Sequence, residues 1–175
     1  TMERVAEDGM RVRASAGASS FRRGPRLQQF LQEAEQQVEV LKKELEEDPT
    51  AGTRRQRAAR QRAAADREKR VRQALAQLPE VEAAKQAKDK DKARVSTTDA
   101  EARVMKMGDG GFRPAFNVLF ATDTETQVIV GVDVSSSGGD QGKLAPMVEQ
   151  LGERYHEKPK AMLVDGGFTK KEDIE

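Results

Sequence analysis

The 175-residue chain has no cysteine, no tryptophan, one histidine and one tyrosine, and its remaining aromatics are six phenylalanines. The lack of cysteine excludes a disulfide scaffold, a thiolate zinc site and a cysteine nucleophile. A Ser-His-Asp mechanism would have to use His156, which stands among Tyr155, Glu157 and Lys158 at an expected helix end, where exposure or capping is its expected role. No apolar run approaches the ~20 residues of a membrane-spanning helix. Charge of one sign is also missing: 31 basic and 30 acidic residues leave +1, so the chain as a whole is no polycation. The charged start, TMERVAEDGM, reads as no secretory leader. A first residue other than Met and a last stretch, KKEDIE, that falls mid-element read as a fragment. The apolar share is 36% and the charged share 35%, against a usual ~45–50% and ~25%.

Three unlike segments make up this average. Residues 1–24 alternate apolar and basic side chains, and Val5, Met10, Val12 and Ala14 suggest a strand around Asp8. Residues 25–94 are nearly free of aromatics. Within them Leu27, Leu31, Ala34, Val38, Leu41 and Leu45 follow heptad spacing, which predicts a helix. Asp48-Pro49-Thr50-Ala51-Gly52 breaks it. A second helix is expected from about Arg54 to Leu78, with Ala58, Ala65, Val71, Leu75 and Leu78 on its apolar side and Pro79 ending or kinking it. Seven acidic residues lie in positions 27–48 and nine basic residues in positions 54–72. Opposite charge and a short turn predict an antiparallel hairpin, each arm roughly 30 Å long at 1.5 Å per residue. Residues 85–94 lack apolar periodicity and read as a frayed end or linker.

Residues 95–175 change period. Ala115–Ala121 and Gln127–Val134 are β-rich runs joined by a polar connection of hairpin length. Asp140 is the expected N-cap of a helix whose apolar face is Leu144, Met147, Val148, Leu151 and Tyr155. Ala161–Asp165 reads as a buried strand cut off by Gly166-Gly167. A lone first strand needs partners, and the available sheet lies about ninety residues downstream. The helical hairpin is therefore read as an insertion into one α/β domain.

Two aspartates stand out by position. Asp8 lies within the first strand before Gly9, and Asp165 ends the last strand before Gly166. Carboxylates at strand ends of an α/β sheet can converge on one ligand, and two together call for a cation or a shared proton. Hard oxygen ligands favour Mg²⁺ or Mn²⁺, and a pair of such ions can drive phosphodiester cleavage. The plain alternative is that Asp-Gly marks a turn. Asp123 and Asp133 are expected to be structural. Ser137–Leu144 is not a P-loop, because it lacks the first glycine and has Leu144 in place of the hydroxyl residue. Arg22, Arg23 and Arg26, and the row Arg54, Arg55, Arg57, Arg60 and Arg62, could neutralise phosphates. Equally, the arginine-rich helix could face only its acidic neighbour and solvent.

Four motifs in order, Asp8–Ala14, Ser96–Arg103, Gly110–Asn117 and Val164–Phe168, resemble those of the DDE transposases of bacterial insertion sequences, over nearly the whole chain. The resemblance implies an incomplete RNase H-like mixed sheet with the long helical hairpin inserted after the first strand. Its segments would be residues 1–24 (first strand), 25–94 (hairpin and linker) and 95–175 (the rest of the core). It implies metal-dependent DNA cleavage and strand transfer, with Asp8 and Asp165 as catalytic and metal-binding residues of a two-ion Mg²⁺ or Mn²⁺ site. The third acidic ligand is expected past residue 175, since Glu172, Asp173 and Glu175 follow Asp165 too closely, so the fragment is expected to be inactive. Arg11, Arg13, Arg22, Arg23, Arg54 and Arg55 are the expected contacts to double-stranded DNA, with a homo-oligomer allowed and a bacterial cytoplasmic location. Glu7 and Met10 stand where the family has an apolar and a hydroxyl residue, and Glu7 adds a carboxylate to a strand expected to be buried. The alternative is a non-catalytic interaction protein built on the hairpin, such as a decayed transposase remnant.

Overall fold

The computed structural model describes residues 2–48 and 52–168. Along the chain these form β1 (Arg4–Arg13), β2 (Phe21–Arg22), α1 (Gly24–Glu47), α2 (Arg54–Ala83), β3 (Val95–Ser96), β4 (Arg103–Lys106), β5 (Phe112–Asp123), β6 (Ile129–Ser135), α3 (Leu144–Tyr155) and β7 (Ala161–Leu163). The class is mixed α/β. The elements fall into two compact units, one of residues up to Ala14 together with those from Arg103 onward, the other of Ser15–Ala102. No helix among the described residues is long and apolar enough to cross a membrane.

In the first unit, β1 finds the partners that a lone strand requires. It pairs antiparallel with β5 from Val5↔Asp123 to Arg13↔Ala115 and parallel with β7 from Arg4↔Ala161 to Ala6↔Leu163. The long β5 borders β1 along one edge and β4 and then β6 along the other, both antiparallel. Gly110, at φ +83 in the β4–β5 connection, supplies the left-handed backbone that a side chain would strain. There Asp109 accepts hydrogen bonds from Gly111 N at 3.0 Å and Arg113 Nη1 at 2.8 Å.

α3 covers one face of this sheet. Its buried Met147 and Leu151 pack with Val5, Leu119, Ala121, Val130 and Phe168. Its polar side chains bond to β6: Gln150 Nε2 donates to Val132 O at 3.2 Å, and Tyr155 Oη to Val130 O at 3.0 Å. Such bonds satisfy carbonyls that an edge strand would leave unpaired. His156 is the exposed C-cap of α3, at φ 57, consistent with the capping role expected from sequence. The expected N-cap differs. Lys143 holds that position without a side-chain bond, because the Asp140 carboxylate is engaged elsewhere.

In the second unit, α1 and α2 run side by side in opposite directions. Near one end Leu41, Glu44 and Leu45 share a cavity of about 50 Å³ with Arg57, Arg60 and Gln61. Farther along, Arg67 reaches Glu33 at 3.4 Å and Gln37 at 3.3 Å, and Arg72 reaches Glu35 at 2.6 Å. Thr53 and Gln56 form a capping box at the start of α2, while Pro49, Thr50 and Ala51 of the expected break lie outside the described residues.

Three helix expectations need correction. α2 does not stop at Pro79 but continues to Ala83 with the proline inside it. The compensation is burial: Val81 joins Leu27, Ala74, Ala93 and Val95 in a core cluster. The apolar seam passes through Ala64, which is buried, whereas Ala65 is exposed, and Leu45 on α1 is also exposed. The segment read as a linker forms a 3-10 turn at Ala87–Lys92 that delivers buried Ala93 and Val95 to that core. β2 and β3 pair through Phe21↔Ser96 and Arg22↔Val95, which closes this unit on itself.

Candidate functional site

A strand sends successive side chains to opposite faces, and in β1 this separates two neighbouring carboxylates. Val5 and Glu7 are buried on the face that α3 covers, while Asp8 is exposed on the other. Glu7 is thus a carboxylate in a buried strand position, as expected from sequence, and the backbone lies between it and Asp8.

Asp8 accepts a hydrogen bond from Gly9 N at 2.8 Å. Asp165, two residues beyond β7, accepts one from Gly167 N at 2.7 Å. Its turn is anchored by Phe168, which is fully buried. Asp165-Gly166 is thus a turn as a bare Asp-Gly reading predicts, whereas Asp8-Gly9 lies inside a strand. The β1–β7 ladder ends at Ala6↔Leu163. Asp165 lies two residues past that end, in the turn that leaves the strand neighbouring β1.

Both carboxylates are exposed, and their remaining oxygens have no protein partner among the described residues. They suit a hard divalent ion as donors. Two carboxylates are an incomplete shell, and no group of three or more His, Cys, Asp or Glu placed to hold a metal occurs among the described residues. Glu172, Asp173 and Glu175 lie outside those residues.

The covered face holds a polar cluster that the sequence did not disclose. Asn117 is fully buried, and its Nδ2 donates to Asp140 Oδ1 at 2.5 Å. Arg11 lies 3.6 Å from Asp140 Oδ2 and donates to the Gly138 carbonyl. Gly9 is required here by space: a Cβ would stand 2.8 Å from Asp140 Oδ1 and 3.1 Å from Asn117 Oδ1. Glu7 is 3% exposed, and neither of its carboxylate oxygens has a hydrogen-bond partner. Burial, and then the charges of Asp133 and Asp140, raise its pKa from 4.5 to about 7. The Gly9–Asn117 and Gly9–Asp140 approaches span more than a hundred residues of chain, so no local pattern announces them.

The expected DNA contacts separate in the same way. Arg11 is held by Asp140 and Gly138, and Arg13 is exposed at the end of β1. Arg22 is half-buried and bonds to carbonyls of its own turn, Ser19 O and Phe21 O. Arg23 is the exposed N-cap of α1, and Arg54 and Arg55 are exposed at the start of α2. Arg67 and Arg72 are paired with acidic residues of α1. For that stretch of α2, facing an acidic neighbour is the observed arrangement. Comparison of the chain with protein-family models, curated proteins and solved structures finds no match in any of the three.

Proposed function

We propose that this chain is part of the catalytic domain of a DDE transposase, with an RNase H-like sheet interrupted after its first strand by a helical hairpin. One observation carries the reading. β1, which carries Asp8, pairs in parallel with β7, and Asp165 lies two residues beyond the end of β7. In this reading the two aspartates hold Mg²⁺ or Mn²⁺, and the ion supplies Lewis-acid stabilisation and water activation for phosphodiester cleavage. The amides of Gly9 and Gly167 fix the two carboxylates, and the turn anchored by Phe168 fixes the second. Arg22 and Arg23 face double-stranded DNA in the cytoplasm of a bacterium. With two acidic ligands among the described residues, the chain alone is expected to bind the ion weakly and to be inactive in strand transfer.

The test is Mn²⁺ binding followed by its paramagnetic broadening of backbone resonances. Broadening centred on residues 8 and 165 is expected, with at least a roughly ten-fold loss of affinity in Asp8→Asn and in Asp165→Asn. Equal binding by the parent and both variants would remove the assignment. A second reading, a non-catalytic interaction protein using the helices, is favoured by the ion pairs that neutralise Arg67 and Arg72. It expects partner binding that survives Asp8→Asn and needs no divalent ion.

A further inference from the structure

Three arginines from three different elements of the second unit surround one aromatic ring. The guanidinium carbons of Arg26 (α1), Arg22 (β2) and Arg67 (α2) stand 4.4, 5.7 and 6.0 Å from the centroid of Phe30. Each such contact is worth ~0.5–1 kcal/mol at an exposed site, which offsets part of the repulsion among three gathered cations. Their charge is only partly balanced. Arg67 has Glu33 at 3.4 Å, whereas Arg22 and Arg26 donate to neutral oxygens, those of Ser19, Phe21 and Gln29. A guanidinium has five N–H donors in a fork that matches phosphate oxygens, and here two of the three keep their full charge.

We infer that the Arg22–Arg26–Arg67 cluster on Phe30 docks the phosphate backbone of duplex DNA. The inference deepens the DNA-processing reading and rests on it for the choice of DNA. The duplex form follows from the ring. Single-strand binding needs an aromatic face open to a base, but Phe30 is already faced by guanidinium groups. Arg54 and Arg55 do not belong to this site. Arg26 and the far end of α1 are separated by some twenty residues, roughly 30 Å of helix, and α2 begins with Arg54 beside that far end.

The experiment is a fluorescence-anisotropy titration of the 175-residue chain against a labelled duplex and the same sequence as a single strand. It is run in EDTA over a range of salt concentrations. Each phosphate contact contributes about 0.9 to the slope of log affinity on log salt. The double variant R22Q/R26Q is expected to lower that slope by about 1.8 and to weaken duplex binding roughly ten-fold near 0.1 M salt. R22K/R26K, which keeps the charges, is expected to retain most of the affinity, and R54Q/R55Q to match the parent. Should R22Q/R26Q lose helical circular dichroism, the exposed R26Q alone decides, with a slope change of about 0.9. An unchanged slope, a larger effect from R54Q/R55Q, tighter binding of the single strand or no duplex binding would each overturn the inference. The titration is run without a divalent ion, so it does not read metal binding at residues 8 and 165. Duplex binding through Arg22 and Arg26 without Mn²⁺ binding at residues 8 and 165 therefore sinks the catalytic reading alone, and the reverse pattern sinks the docking site alone.

Discussion

The two faces of β1 are built from the same ten residues and do opposite things. On the covered face Val5 meets Leu119, Met147 and Leu151, and the polar end beyond it is closed by Asn117, Asp140 and Arg11. On the open face Met10 and Val12 are joined by Val104, Phe112, Val132, Val134 and Leu163, all exposed, with Phe112 at 70%. Asp8 lies on that open face. An antiparallel sheet with one solvated face normally alternates apolar with polar residues. This one is apolar on both parities, so its sequence has the pattern of a sheet buried on both sides. The difference shows that burial on the covered face comes from a helix within the unit, while the open face carries the exposed Asp8 carboxylate on an apolar ground.

The largest expected effect breaks the covered face. Leu119 is fully buried beneath α3, so Leu119→Ala should cost about 2–5 kcal/mol, from lost transfer energy and the cavity left behind. Urea unfolding of the parent and the variant measures this. A loss below about 1 kcal/mol would mean that α3 does not seal this face.

Next in size is the Glu7 carboxyl. Its pKa stands at about 7 when folded, against 4.5 for an ordinary glutamate. Between these pH values the folded chain holds a proton that the unfolded chain releases. The contribution is therefore complete below pH 4.5 and declines as pH rises through 7, then levels off. A shift of this size corresponds to at most about 3 kcal/mol. Glu7→Gln, which keeps the shape and removes the charge, should flatten the stability profile over that window and raise stability at pH 8. Stability that rises from pH 5 to pH 8 in the parent would show that Glu7 is not confined as described.

What could be read from residues alone follows the same division. The apolar runs at 115–121, 129–134 and 161–163 lie on β5, β6 and β7, and the first strand centres on Asp8, because strand patterns are local; the last strand, expected to be buried and to reach Asp165, stops at Leu163 and is largely exposed. The heptad at Leu27 and the start of the second helix near Arg54 are equally local. The triangle of Gly9, Asn117 and Asp140 was not legible, and Asp140 was read as a helix cap, because its partners come from distant strands. Pro79 does not end α2, since its penalty is local whereas the burial of Val81 beyond it is tertiary. β4 offered too short a pattern: Arg103–Lys106 places its two apolar residues side by side rather than in alternation.

Gly9→Ala tests the close approach inside β1. The added methyl would stand 2.8 Å from Asp140 Oδ1, and that carboxylate cannot swing away freely because Asn117 and Arg11 hold it. Overpacking of this kind costs about 1–3 kcal/mol. Combination with Asp140→Ala should relieve part of the cost, giving a coupling of at least about 0.5 kcal/mol in a double-mutant cycle. Additive losses would place the clash elsewhere.

The smallest stability effect is expected on the open face, where it is the most informative. Val134 is 58% exposed, so replacing its methyl with the hydroxyl of Thr removes little buried area and should change stability by no more than about 0.5 kcal/mol. What should change is the face itself. A contiguous apolar surface binds hydrophobic dyes and promotes association, so the double variant Val132→Thr/Val134→Thr should reduce dye fluorescence and shift sedimentation toward the monomer, with the urea midpoint nearly unmoved. A large drop in stability would mean that these valines are covered in solution, and the contrast between the two faces of β1 would then be a contrast between two packed surfaces.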